Sequence, residues 1–172
     1  MEKKATSPLM AGLLISLILI VIDLVGGFTH LKYETWWGWI GGVVMLIAII
    51  MFCISWANQK NNLVTFGNVF GYGFKASAVI AVIILIYSFL SMYVIFPETR
   101  DIIMDTTRKK MEAAGNLSED QMDQALAMTK KFLVLGPIFG GIFTLIIGII
   151  GGLLGGAFAK KKPITPFDQP NA

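Results

Sequence analysis

Apolar residues in this chain come in long unbroken blocks, not in the alternation of a half-buried strand or the three-to-four spacing of a surface helix. The blocks run over about 9–28, 39–57, 76–96 and 132–159, and only the first contains a charge, Asp23. Each meets the roughly 20 residues that an α-helix needs to cross a hydrocarbon core of about 30 Å. Buried helices of soluble proteins seldom stay free of charge for that long. The pattern therefore predicts an all-α integral membrane protein, a four-helix bundle of transmembrane spans.

Two polar stretches between the blocks carry patterns of their own. Over 58–75, Leu63, Phe66, Phe70 and Phe74 recur at helical spacing opposite Asn61, Asn62, Thr65 and Asn68, with Gly67, Gly71 and Gly73 interspersed. This predicts a short amphipathic element in the membrane interface, broken by its glycines. The stretch 97–131 reads as an extramembrane helical hairpin between the third and fourth spans. Pro97 suits a first helical turn, and Gly115 suits the left-handed residue after a helix end. Ser118 with Gln121 then forms a capping box, with Leu117 and Met122 placed as its hydrophobic staple. With these pieces assigned, residues 1–172 form one membrane domain.

Composition agrees with the pattern: 55% of the 172 residues are hydrophobic and 15% charged, with a mean hydropathy of +0.71. A soluble domain is nearer half apolar and a quarter charged. The net charge of +3 is small and scattered, which gives no basis for nucleic-acid binding. Lys3 and Lys4 ahead of an apolar run also resemble the start of a signal peptide, but no small-x-small site precedes a polar segment, so a retained span is expected.

Basic residues set orientation in membrane proteins. With the N-terminus cytoplasmic, Lys3, Lys4, Lys60, Lys75 and Lys160–Lys162 lie inside. Lys32 in the first outer loop (30–35) and six basic residues in 97–131 lie outside, a tie of seven against seven. The undiluted Lys160–Lys162 cluster directly after a span favours cytoplasmic N- and C-termini. Trp36, Trp37 and Trp39 then form the outer aromatic belt and Trp56 the inner one.

Asp23 is the residue that costs free energy where it sits, about 3 kcal/mol at a bilayer centre. It lies 14 residues beyond Leu9, about 21 Å along the helix at about 1.5 Å per residue. The same depth falls near Ser88 and Ser91 on the third span and near Thr144 on the fourth. Gly12, Ser16, Asp23 and His30 share one helix face. No basic residue is expected at that depth, so the pattern predicts an acid held by hydroxyls, not an ion pair. Asp23 is then either a polar packing residue or the centre of a proton or cation relay.

The fourth span carries the most regular pattern. Gly136, Gly140, Thr144, Gly148, Gly152 and Gly156 recur every four residues, beside a second row of Gly151, Gly155 and Ala159. Small residues at this spacing let a second helix approach closely. The partner is another span of the same chain or, alternatively, a second copy in a homo-oligomer or a subunit of a larger membrane complex.

No chemical site emerges. Gly71-Tyr-Gly73-Phe-Lys-Ala76 is a loose dinucleotide-like spacing with no preceding strand, and there is no Walker A, HExxH, GxSxG or CxxC sequence. Cys53 and His30 stand alone of their kinds. No catalytic, metal or cofactor residue is expected. Asn116-Leu-Ser118 is a formal glycosylation sequence that the turn and cap already explain.

The order Phe66-Gly-Asn-Val-Phe70, Gly73-Phe-Lys75, Pro97-Glu98, Lys110-Met-Glu112, Gly115, Ser118-Glu-Asp-Gln-Met122 and Met128, followed by the glycine-rich span with its lysine-rich end, resembles a family. It is that of the uncharacterised small four-span membrane proteins of Bacteroidota grouped by a domain of unknown function. The resemblance implies a bacterial inner-membrane protein and carries no activity with it. The expectation is a non-enzymatic inner-membrane protein with a structural, regulatory or accessory role. The alternative is a small transporter or channel component using Asp23.

Overall fold

The computed structural model describes residues 5–34, 36–115 and 118–162. Among them every regular element is helical: α1 (Pro8–Phe28), α2 (Trp37–Gln59), α3 (Phe66–Leu90), α4 (Thr99–Ala114), α5 (Glu119–Leu133) and α6 (Gly136–Phe158). Four of these, α1, α2, α3 with its continuation to Ile95, and α6, are long and apolar enough to cross a membrane. The chain is thus a multi-pass membrane protein of all-α class. By contacts it forms two compact units, one of residues 1–84 with 142–172 and one of 85–141.

In the first unit, helix ends follow from local chemistry. The Ser7 hydroxyl accepts the Met10 amide at 3.2 Å, and Pro8 opens α1 where its missing N–H is no loss. Thr29 closes α1 by donating its hydroxyl to the Val25 carbonyl at 2.6 Å. His30 then takes a left-handed conformation, φ 59°, and turns the chain into a single 3₁₀ turn at Leu31–Tyr33. The reversal after α2 uses two left-handed asparagines, Asn61 (φ 55°) and Asn62 (φ 62°); asparagine is among the few side chains that visit this region routinely.

The largest departure from the sequence reading is at α3. The expected interfacial element over 58–75 is not separate, because the helix begins at Phe66 and runs through Gly67, Gly71 and Gly73 into the third span. Thr65 starts it: its hydroxyl accepts the Asn68 amide at 3.2 Å, while Asn68 Oδ1 accepts the Thr65 amide at 3.1 Å. This is a capping box with asparagine in the usual Glu/Gln place. At Gly73 the helix needs a glycine, because a neighbouring backbone occupies the side-chain space. A Cβ there would lie 2.8 Å from the Gly152 Cα.

The core of this unit is one cluster: Ala11 and Ile15 of α1, Met45, Ile49 and Cys53 of α2, and Val69, Tyr72, Ala76 and Ile80 of α3, with Ala159 after α6. Between 17% and 28% of each span's most apolar stretch is buried inside the chain. The outward remainder includes Leu17, Val21, Ile47, Met51, Val82 and Ile146, all exposed. In water such a surface would far exceed the apolar patch that a soluble monomer tolerates; in a bilayer it is the lipid-facing side.

The second unit holds the hairpin. Pro97 lies just ahead of α4, whose cap is Glu98. Gly115 ends α4 with φ 64°, its amide reaching back to the Met111 and Glu112 carbonyls. Ser118 caps α5 reciprocally with Gln121, at 3.4 Å and 3.0 Å. Asn116 and Leu117 lie outside the described residues, and with them the staple. On α4, Arg108 donates Nε–H to Glu112 at 2.9 Å, and this carboxylate holds the guanidinium above its ordinary pKa. Phe132, expected in the fourth span, belongs to α5, and α6 starts at Gly136.

Candidate functional site

Asp23 sits five residues before the end of α1, about 7.5 Å of helix at about 1.5 Å per residue. That places it in the last turns before the loop, not at the centre of the span. Its carboxylate pairs with Lys32, with Nζ 3.6 Å from Oδ2. This corrects the expectation that no cation reaches that depth. The cause is the left-handed His30, which reverses the chain directly after α1, so that a loop lysine returns to the helix it has just left. The Lys32 side chain is 13% exposed and that of Asp23 36%, so the lysine stem is packed and the carboxylate is reached from outside. Gly26, three residues on, supports the same corner: a Cβ there would run into the indole of Trp37.

The hydroxyls expected around Asp23 lie in different parts of the chain. Thr144 belongs to the first unit, while Ser88 and Ser91 belong to the second, where Ser91 is buried and opens a π turn over Ser91–Ile95. Two other serines, Ser16 from the same face of α1 and Ser77, which the sequence does not single out, are more deeply buried. Ser16 donates to the Gly12 carbonyl at 2.8 Å and Ser77 to the Gly73 carbonyl at 2.7 Å. Each satisfies itself one helical turn back, which lets a polar residue face the core.

The glycine rows of α6 meet two different helices. Along the first row, a Cβ on Gly148 would collide with Ser77 of α3, one on Gly156 would lie 2.9 Å from the Phe66 ring, and one on Gly152 would touch Phe70 at 3.5 Å. The second row faces α2: a Cβ on Gly151 would sit 3.1 Å from Ile49, and one on Gly155 only 2.6 Å from the Cys53 Cβ. Cys53 is held between Gly155 and Gly73, its Sγ 2.9 Å from the Cβ position of the latter. The groove therefore packs spans of the same chain. Gly136 and Gly140 differ, for a Cβ at either has nothing within 4 Å. On α1, Gly12 brings in α3, with Val79 and the Ala76 carbonyl within 2.9 Å of its Cβ position.

His30 is exposed in the loop and Cys53 is in the core. Among the described residues no group of three or more His, Cys, Asp or Glu side chains could hold a metal ion.

Residues 9–161 match a family described as "Protein of unknown function (DUF4199)". The chain belongs to this family. The match starts at the second residue of α1 and ends after α6, so it takes in the four spans, save Pro8, and the hairpin. No curated protein and no solved structure matches the chain.

Proposed function

We propose that this member of the DUF4199 family is a non-enzymatic component of a bacterial inner membrane, with both termini cytoplasmic, acting as a structural or accessory protein. Its working parts are the packed spans and the hairpin of α4 and α5, which on this reading is the outer segment. The observation that carries this reading is the Asp23–Lys32 pair at 3.6 Å. A relay acid must exchange its proton along a path, and intramembrane acids of that kind point into cavities or chains of polar groups. Asp23 instead sits near a helix end, paired with a lysine that the adjoining loop brings back to it.

Glycine packing supports the same reading, since α6 spends Gly148, Gly151, Gly152, Gly155 and Gly156 on neighbours in its own chain. Lipid is then the constant partner. Any second copy or larger complex meets other surfaces, such as the hairpin face that exposes Met128 and Phe132.

Reconstitution into liposomes carrying an internal pH dye tests the proposal. Proton and potassium leak should equal that of protein-free vesicles, for wild type and Asp23→Asn alike. A protein-dependent flux that Asp23→Asn abolishes, with the fold intact, would overturn the structural role in favour of transport.

A further inference from the structure

At the end of the first unit where α1 and α3 begin, a cleft of about 280 Å³ opens between Pro8, Trp56, Gly67, Asn68, Gly71, Tyr72 and Lys75. Gly67, Gly71 and Lys75 stand four residues apart on α3, one above another on a single face. Lys75 stands one turn beyond Gly71 on that face and lines the cleft with it. That track is open: a Cβ on Gly71 would meet nothing within 4 Å, and one on Gly67 only the Thr65 hydroxyl at 3.8 Å. Lys75 lies nine residues into the helix, about 14 Å from its start at about 1.5 Å per residue, a depth from which lysine reaches back toward the interface.

The cleft is rich in donors. The Tyr72 ring is stacked on Trp56 with centroids 5.0 Å apart, and its hydroxyl is buried with no hydrogen-bond partner. Asn68 spends Oδ1 on Thr65, which leaves its amide N–H₂ as donors. Acids are at the other end: the described carboxylates of this unit are Asp23, late in α1, and Glu34, in the loop after it. Lys60, Lys75 and Lys160–Lys162 have no carboxylate partner among the described residues. A cleft with no acid among its described lining residues, and with a lysine, an unmet hydroxyl donor and a stacked aromatic pair at interface depth, suits a compact anion with several acceptor oxygens.

We propose that this cleft binds a phosphate group, with an anionic glycerophospholipid headgroup or a free phosphate as its two sources. Binding is read as the ligand-dependent rise in melting temperature of the full-length protein in a neutral detergent. Phosphatidylglycerol, phosphatidylcholine, glycerol phosphate and inorganic phosphate are titrated in turn. Phosphatidylglycerol should stabilise the protein at concentrations at least tenfold below phosphatidylcholine. Lys75→Gln should weaken that binding about tenfold, Tyr72→Phe severalfold, and Gly71→Leu should abolish it by filling the track. The lipid-free melting temperature of Gly71→Leu should not fall, because the added side chain meets open space. The triple change of Lys160, Lys161 and Lys162 to Gln should leave the affinity within twofold.

The two sources separate within the same titration. Stabilisation by phosphatidylglycerol alone assigns the headgroup, and equal stabilisation by glycerol phosphate or inorganic phosphate assigns a soluble ligand. Equal effects of the anionic and zwitterionic lipids with no stabilisation by either soluble phosphate, wild-type affinity in Lys75→Gln, or loss of binding only in the triple lysine variant would each overturn the site.

Discussion

The Asp23–Lys32 pair shows how a single backbone conformation decides a residue's chemistry. Asp23 was visible in the sequence as the one charge within a span, and its distance from the end of the block could be counted. Its partner could not be found by counting depth along straight helices, because His30 at φ 59° folds the loop back. Histidine carries only a weak signal for that region, which glycine or asparagine would have marked more plainly. With the carboxylate 36% exposed, screening limits the pair to about 1 kcal/mol or less. Asp23→Asn and Lys32→Met should each destabilise the protein by about that amount, and the double variant by less than the sum of the two. Thermal unfolding in detergent around that cycle reads the coupling; strict additivity would mean that the two groups do not interact.

At the level of elements, the clearest success and the clearest miss both concern capping. Gly115, Ser118 and Gln121 announced the hairpin turn because each residue type satisfies a specific orphaned backbone group there. Ser118→Ala should cost about 1 kcal/mol of local stability. The loss should appear as faster hydrogen exchange at the Gln121 amide, and unchanged exchange would remove the cap. Gly115→Val should cost more, since a β-branched residue opposes the positive φ. The same kind of box at Thr65 and Asn68 is obscured in the sequence by three glycines, Gly67 within it and Gly71 and Gly73 just beyond, that read as breakers. The helix runs through all three, and Gly73 lies where only glycine lets the α6 backbone approach at Gly152, a reason that exists only once the helices are together. Thr65→Ala should fray the first turn of α3, with the Asn68 amide exchanging faster and amides beyond Gly73 unaffected.

For the whole molecule, four spans were legible because charge-free blocks of this length have few other uses. The side of the membrane was much less so, given equal numbers of basic residues on both sides. Cysteine labelling settles the orientation, since Cys53 is 0% exposed and should stay silent. Ser118→Cys should label from outside intact cells and Asn62→Cys only after permeabilisation; the reverse would invert the topology. The glycine rows of α6 were legible as a groove, but their division of labour was not. Spacing alone treats Gly140 and Gly148 alike, and only the packed chain distinguishes the one with open space from the one against Ser77.

That difference gives the most direct test of a bundle held together within one chain by α6. Gly148→Leu and Gly140→Leu add the same side chain to the same helix, two turns apart, and are compared by thermal unfolding of the purified protein in detergent. Gly148→Leu should drive α6 off α3 and leave the protein unfolded or its melting temperature far below wild type, whereas Gly140→Leu should melt within a few degrees of wild type. Equal tolerance of both substitutions would contradict the account.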